Sequence, residues 1–268
     1  MTMLAFFLVS LSASVLGAVC GIGGGIVIKP VLDALRLADV ETASFLSGCT
    51  VLAMSAYSVA AGLYAQKKSG EKQAVPGMTP LAIGAAFGGV AGKMLFGILI
   101  ARLANPAAAG RAQAVCVALM AALTLAYTLG RGKIKPRRLE SPALCLLAGA
   151  VMGALSGFLG IGGGPVNLIV LFYFFGMDTK PAARSSLYVI LFSQSASLLY
   201  TLLERSVPDF HPAVLALMVF GGIAGGMAGR WIHGRIGGKT ADRLLVGLMA
   251  LIFAISAYTV MLSHIYPA

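Results

Sequence analysis

The apolar positions of this chain fall in long runs that almost no charge interrupts, near 3–28, 43–65, 77–101, 112–129, 142–176, 185–203, 212–229 and 243–263. Most approach the roughly 20 residues that a helix needs to cross about 30 Å of hydrocarbon. There are eight such hydrophobic segments, two of them overlong, and the longest polar connection is RGKIKPRRLE at 131–140. No room is left for a soluble domain. The pattern predicts an all-α polytopic membrane protein.

The order of the segments occurs twice. Sliding the sequence by 139 positions lays Gly21, Ile22, Gly23, Gly24, Gly25 and Val27 on Gly160, Ile161, Gly162, Gly163, Gly164 and Val166. Leu32, Asp39, Ala43 and Ser47 then meet Leu171, Asp178, Ala182 and Ser186. Nearby shifts of 133 and 129 lay FGGVAG (87–92) on FGGIAG (220–225) and VALMA (117–121) on VGLMA (246–250). Three matches in one order divide the chain into a first transmembrane repeat, 1–130, a basic linker, 131–140, and a second repeat, 141–268, each of four segments.

Lys and Arg placement decides how the halves are related. If every segment crosses once, the halves are parallel, and nine basic residues share the face of the basic linker against ten on the other. If the overlong segments 3–38 and 141–177 instead enter and return on one face, the division becomes fourteen to five, with Lys29 and Arg36 in an outer loop and Lys93 inside a segment. The inverted arrangement satisfies the positive-inside rule. It places loops 66–73 and 131–140 in the cytoplasm and both termini outside.

Each overlong segment is then a helical hairpin carrying GIGGG at its tip within the membrane. The second arm, about 12 residues or 18 Å, is too short to span. The first arms are nearly full length, and tilt is expected to bring their tips toward the midplane. Four glycines in five positions cannot hold a helix. Irregular backbone at that depth requires protein or a water-filled cavity around it, so both tips should face a shared centre.

A helix restarts near Ile26 and near Pro165, and its first-turn N–H groups and positive dipole end suit an anion. Pro165 fits a first turn because its missing N–H costs nothing there. Glycine also lets an oxyanion approach the backbone. Gly21, Gly23, Gly24, Gly25, Gly160, Gly162, Gly163 and Gly164 are therefore candidate substrate-binding residues. The alternative for a glycine cluster is close helix packing, which suits FGGVAG and FGGIAG better.

Ser47, its match Ser186, and Asn167 just past the second tip are candidate ligand contacts; interhelical hydrogen bonding is the other role open to the serines around them. Asp39 and Asp178, just before segments two and six, are expected to be N-caps. All nine carboxylates lie near segment ends or in loops, whereas Lys93 and Arg184 lie inside segments. An intramembrane cation is a functional candidate, and these two either add charge to the site or snorkel toward head groups. Without a buried Asp or Glu, cation transport and a carboxylate proton relay have no visible residues.

Composition agrees: 59% of residues are hydrophobic, 11% are charged, and the mean hydropathy is +0.91. The net charge of +11 sits in short loops and speaks for lipid head groups, not nucleic acid. Cys20, Cys49, Cys116 and Cys145 lie in apolar runs without CxxC spacing and are expected as small buried hydrophobes. His211, His233 and His264 are scattered near segment ends. No metal-ligand spacing or nucleophile–base pair appears, so neither an enzyme nor a cofactor is expected. The first 18 residues lack a basic n-region and lead directly into the repeated glycine motif, so they are expected to belong to the folded structure.

On GIGGGIVIKP (21–30), GIGGGPVNLI (160–169), SSL (185–187) and the two four-segment halves, the chain resembles the TauE/SafE family of sulfite exporters over almost its entire length. The resemblance implies a bacterial inner-membrane carrier for sulfite, organosulfonates or similar oxyanions, with a proton or sodium ion as a coupling partner. The chain departs from the family pattern at Ile169, where a proline matching Pro30 is absent and Pro165 comes earlier. It departs again at Leu46–Ser47, opposite Ser185–Ser186. An anion-selective channel, or a membrane protein with no transported ligand, are the rival functions.

Overall fold

A computed structural model describes residues 2–35, 37–69, 77–102, 106–131, 134–137, 139 and 141–265. Arg36, residues 70–73 of the basic loop and four positions of the linker lie outside them. Among the described residues the chain forms α-helices only: α1 (Thr2–Cys20), α2 (Gly25–Ala34), α3 (Val40–Ser69), α4 (Met78–Arg102), α5 (Pro106–Gly130), α6 (Pro142–Leu159), α7 (Gly164–Phe175), α8 (Thr179–Leu203), α9 (Pro212–Arg235) and α10 (Gly238–Ile265). Eight of them are long and apolar enough to cross a membrane; α2 and α7 are the short ones.

Helices α1–α5 and α6–α10 are related by a pseudo-two-fold that exchanges their partners. α1 lies along α9 as α6 lies along α4, α3 packs on α9 as α8 packs on α4, and α3 crosses α8 while α5 pairs with α10. The halves are thus interlocked. Small residues make this possible: a Cβ added at Gly84, Gly88 or Gly92 of α4 would overlap the carbonyl oxygens of Leu146, Ala150 and Ala154 on α6. On the partner pair, a Cβ at Gly225 or Gly229 of α9 would lie 2.5 or 2.6 Å from the Leu11 or Val15 oxygen of α1. FGGVAG and FGGIAG are therefore backbone-to-backbone packing faces.

Contacts between connections fix the topology. Arg131 donates to the Met177 oxygen at 2.6 Å and pairs with Asp178 at 3.1 Å, Thr179 bonds Asp242, and Gly77 lies beside Cys145 and Phe175. The α3–α4, α5–α6 and α7–α8 connections and the start of α10 therefore share one face. On the opposite face Thr42 donates to the Asp209 oxygen at 3.2 Å, and Gly110 abuts Val40. α6 and α7 accordingly enter and return on the linker face. α1 runs parallel to α9, so α1 and α2 enter and return on the other. The halves are inverted.

The tips reach deeper than the hairpin picture implies. Gly21 packs on Ala183, the fifth residue of α8, and Gly160 on Ser44, the fifth of α3. α1 and α6, at 19 and 18 residues, thus cross nearly the full thickness, about 28 Å. The glycine segments then fold back, and only Gly23 and Gly162 are central, meeting between Val51 and Ile190. Tilt is not needed to reconcile long first arms with a central site. Ile22, Ile26, Ile161 and Leu168, all fully buried, seal the centre against α5 and α10.

Candidate functional site

The two breaks are built from left-handed backbone. Gly21 and Gly23 have φ of +74° and +72°; Gly160, Gly162, Gly163 and Gly164 have +64°, +82°, +95° and +50°. L-residues avoid this region, which favours glycine at these six positions; Gly24, at φ −66°, and Gly25 owe their lack of a side chain to close contact with Ser14, Ile161 and Ser47. Gly24 and Gly163 cap α2 and α7 without a side-chain bond, and Pro165 stands in the first turn of α7. The tips touch: a Cβ at Gly25 would overlap the Ile161 oxygen and lie 2.8 Å from Ser47 Oγ, and one at Gly164 would lie 3.1 Å from Ile26 Cδ1.

Unspent hydrogen-bond donors collect here. The N–H groups of Gly23, Gly24, Gly25 and Ile26 find no acceptor among the described residues, nor do those of Ile161, Gly162, Gly163 and Gly164. Ser47 Oγ, Ser186 Oγ, Ser14 Oγ and both amide atoms of Asn167 are buried and likewise unpartnered. Ser14 borders Gly24, Asn167 borders Gly163, and Ser47 and Ser186 hold corresponding positions on α3 and α8. A buried polar group without a partner costs about 1–3 kcal/mol. Of these, Ser14, Ser47 and Asn167 lie directly against the tip glycines, and no carboxylate is among them.

Where α1 and α6 end inside the protein, their last carbonyls also need donors. His233 Nδ1 on α9 bonds the Val19 oxygen at 2.8 Å. At the matching position of α6, Gln113 Nε2 on α5 bonds the Phe158 oxygen at 2.7 Å. Lys29 Nζ, on α2, bonds the Leu159 oxygen at 3.3 Å, Ser44 Oγ at 2.7 Å and Gln113 Oε1. Lys29 is therefore not an outer-loop residue: its exposure is 3%, and it sits on the membrane-embedded α2. Its signal was a single charge in the apolar stretch GIVIKPVL, hidden by counting it with the adjoining loop. Ser14, Gln113 and His233 carried no comparable signal, because their roles depend on contacts between distant helices.

The intrasegment cations named from the sequence differ in their surroundings. Lys93 is half-buried on α4 with Nζ 5.6 Å from the Phe96 ring centroid, on a ring that Lys29 also approaches at 5.6 Å. Arg184 is exposed on α8, next to Ala183, on which Gly21 packs. Asp39 caps α3 through the Thr42 N–H at 2.7 Å. Asp178 departs from the expected capping: its side chain makes no cap bond because Arg131 takes it as an ion-pair partner. Gln194 bonds Ser156 across α8 and α6 at 3.2 Å. All four cysteines are free. No group of three or more metal-ligating side chains occurs among the described residues.

Inverted repeats with broken helices are an arrangement that recurs among multi-span membrane transporters. The model of the sulfite exporter TauE/SafE family matches residues 6–256, and the chain belongs to that family. It is a family of transporters, not of enzymes, which makes the solute a small anion and the setting a lipid bilayer. No curated protein and no solved structure matches the chain.

Proposed function

We propose that the protein is a secondary transporter of a sulfur oxyanion, sulfite or a small organosulfonate, which it binds between the two glycine tips and exposes alternately to either side of the bacterial inner membrane. The observation that carries this is the set of unspent donors: N–H groups at two opposed helix N-termini, with Ser47, Ser186 and Asn167 beside them. A pyramidal or tetrahedral oxyanion offers acceptors in several directions and is matched by donors approaching from two sides.

The tips are buried from both faces, which favours a carrier whose halves must move over an open channel. By the charge distribution the basic linker faces the cytoplasm and both termini lie outside. A proton or sodium ion is the coupling partner in this scheme.

Flux of radiolabelled sulfite, sulfate and a small organosulfonate in proteoliposomes, with and without an imposed proton or sodium gradient, tests the proposal. Saturable flux selective for a sulfur oxyanion supports it. Non-saturating, channel-like currents, or no flux of any of the three, would overturn it.

A further inference from the structure

The hydrogen bonds around Lys29 present it with acceptors. Ser44 gives its own proton to the Val40 oxygen at 2.7 Å, so it receives one from Lys29. Gln113 spends its amide N–H on the Phe158 oxygen, so it presents its oxygen to Lys29. The Leu159 oxygen is the third acceptor. Three acceptors around Nζ match the three donors of an ammonium. No carboxylate pairs with it among the described residues, where the ion pair found is Arg131–Asp178. Asp33, one turn further along α2, is the carboxylate nearest in sequence and lines the same cleft, but makes no ion-pair contact with Lys29, so the Lys29 group is held by neutral acceptors alone.

All three donors are already used, so Lys29 cannot itself grip a ligand. What it does instead follows from where it is anchored. Leu159 is the last residue of α6, and the break it opens is the second tip, Gly160–Gly163. The end of a helix carries negative partial charge, which would repel an anion seated a few residues on. Lys29 and Gln113 cover the last two carbonyls of α6, and Lys29 adds a net charge. At the first tip the matching carbonyl, that of Val19, is covered by His233 alone, and the residue matching Lys29 in the second repeat is Leu168.

Building on the anion site proposed above, we infer that Lys29 is its positioning charge. Fixed on the Leu159 carbonyl, it reverses the sign at the end of α6 and makes the second tip the tighter holder of the anion.

The test is the concentration dependence of radiolabelled sulfite flux in proteoliposomes for Lys29→Gln, Lys29→Met and Lys29→Arg. Lys29→Gln keeps a donor for the Leu159 carbonyl and loses only the charge. Both neutral variants are expected to raise KM about tenfold with the maximal rate largely kept, and Lys29→Arg to restore the wild-type KM. Where Lys29→Met fails to insert, Lys29→Gln decides. A wild-type KM in Lys29→Gln, or a fall in maximal rate at unchanged KM, would overturn the proposal. So would failure of both neutral variants to accumulate while Lys29→Arg does, which assigns Lys29 to stability. Sulfite flux that survives Gly25→Ala undiminished marks a different failure, that of the tip site itself, and takes this proposal with it.

Discussion

The first tip, Gly21–Gly24, and the second, Gly160–Gly163, have the same sequence pattern and the same place in their repeats, yet different chemistry surrounds them. Ser14 borders the first, where the second half has Gly153; Asn167 borders the second, where the first half has Ile28. His233 covers the helix end before the first tip, and Gln113 with the Lys29 ammonium covers the end before the second. What the duplication preserves is left-handed backbone at Gly21 and Gly23 as at Gly160 and Gly162, with opposed helix N-termini and unspent N–H groups; at the next position Gly24 is right-handed, φ −66°, where Gly163 has +95°. What differs is the side chains that set charge and shape. A carrier that must release its ligand gains from two holders of unequal strength, because two equally tight ones would slow departure.

The matched glycines Gly25 and Gly164 offer the sharpest way to break the comparison. An added methyl at Gly25 would overlap the Ile161 backbone oxygen, while at Gly164 it meets the movable end of Ile26 at 3.1 Å. Gly25→Ala is therefore expected to reduce flux to background. Gly164→Ala, facing a left-handed cost of about 1–2 kcal/mol, should retain measurable flux. Equal losses would show that clearance between the tips does not govern the site.

Next in size are the packing faces. Gly88→Ala is expected to lower stability by about 1–3 kcal/mol, read as a fall in melting temperature in detergent. Gly225→Ala, at the slightly wider α1–α9 contact, should cost less. Asn167→Leu separates site from scaffold. Removing a buried, unpartnered amide should leave the melting temperature unchanged or raised while the KM for the anion increases. A lowered melting temperature with an unchanged KM would make Asn167 structural. Smallest of all is Arg184→Gln, which should leave flux at the wild-type level because the side chain is exposed on α8.

Much of the fold was legible in sequence because lipid leaves few options. Backbone in hydrocarbon must be helical, so apolar runs and glycine breaks translate almost directly into α1–α10. Inversion was legible through Lys and Arg placement, even with Lys29 miscounted as a loop residue. The depth of the tips was not, since the return path of Ile22–Gly24 to the centre depends on packing against Val51 and Ile190. Of the candidate site, the glycines and the Ser47–Ser186 pair stood out by repetition. Lys29, Ser14, Gln113 and His233 did not, because they have no counterpart in the other repeat and reach their places through tertiary contacts. The Arg131–Asp178 pair escaped notice for the same reason, and with it the true partner of Asp178.

Equilibrium binding of radiolabelled sulfite to the purified protein, compared among wild type, Gly25→Ala and Arg184→Gln, tests most directly whether the anion sits between the tips. Saturable binding that is lost in Gly25→Ala and kept in Arg184→Gln is the expected result. Undiminished binding by Gly25→Ala would contradict it and move the anion away from the tips.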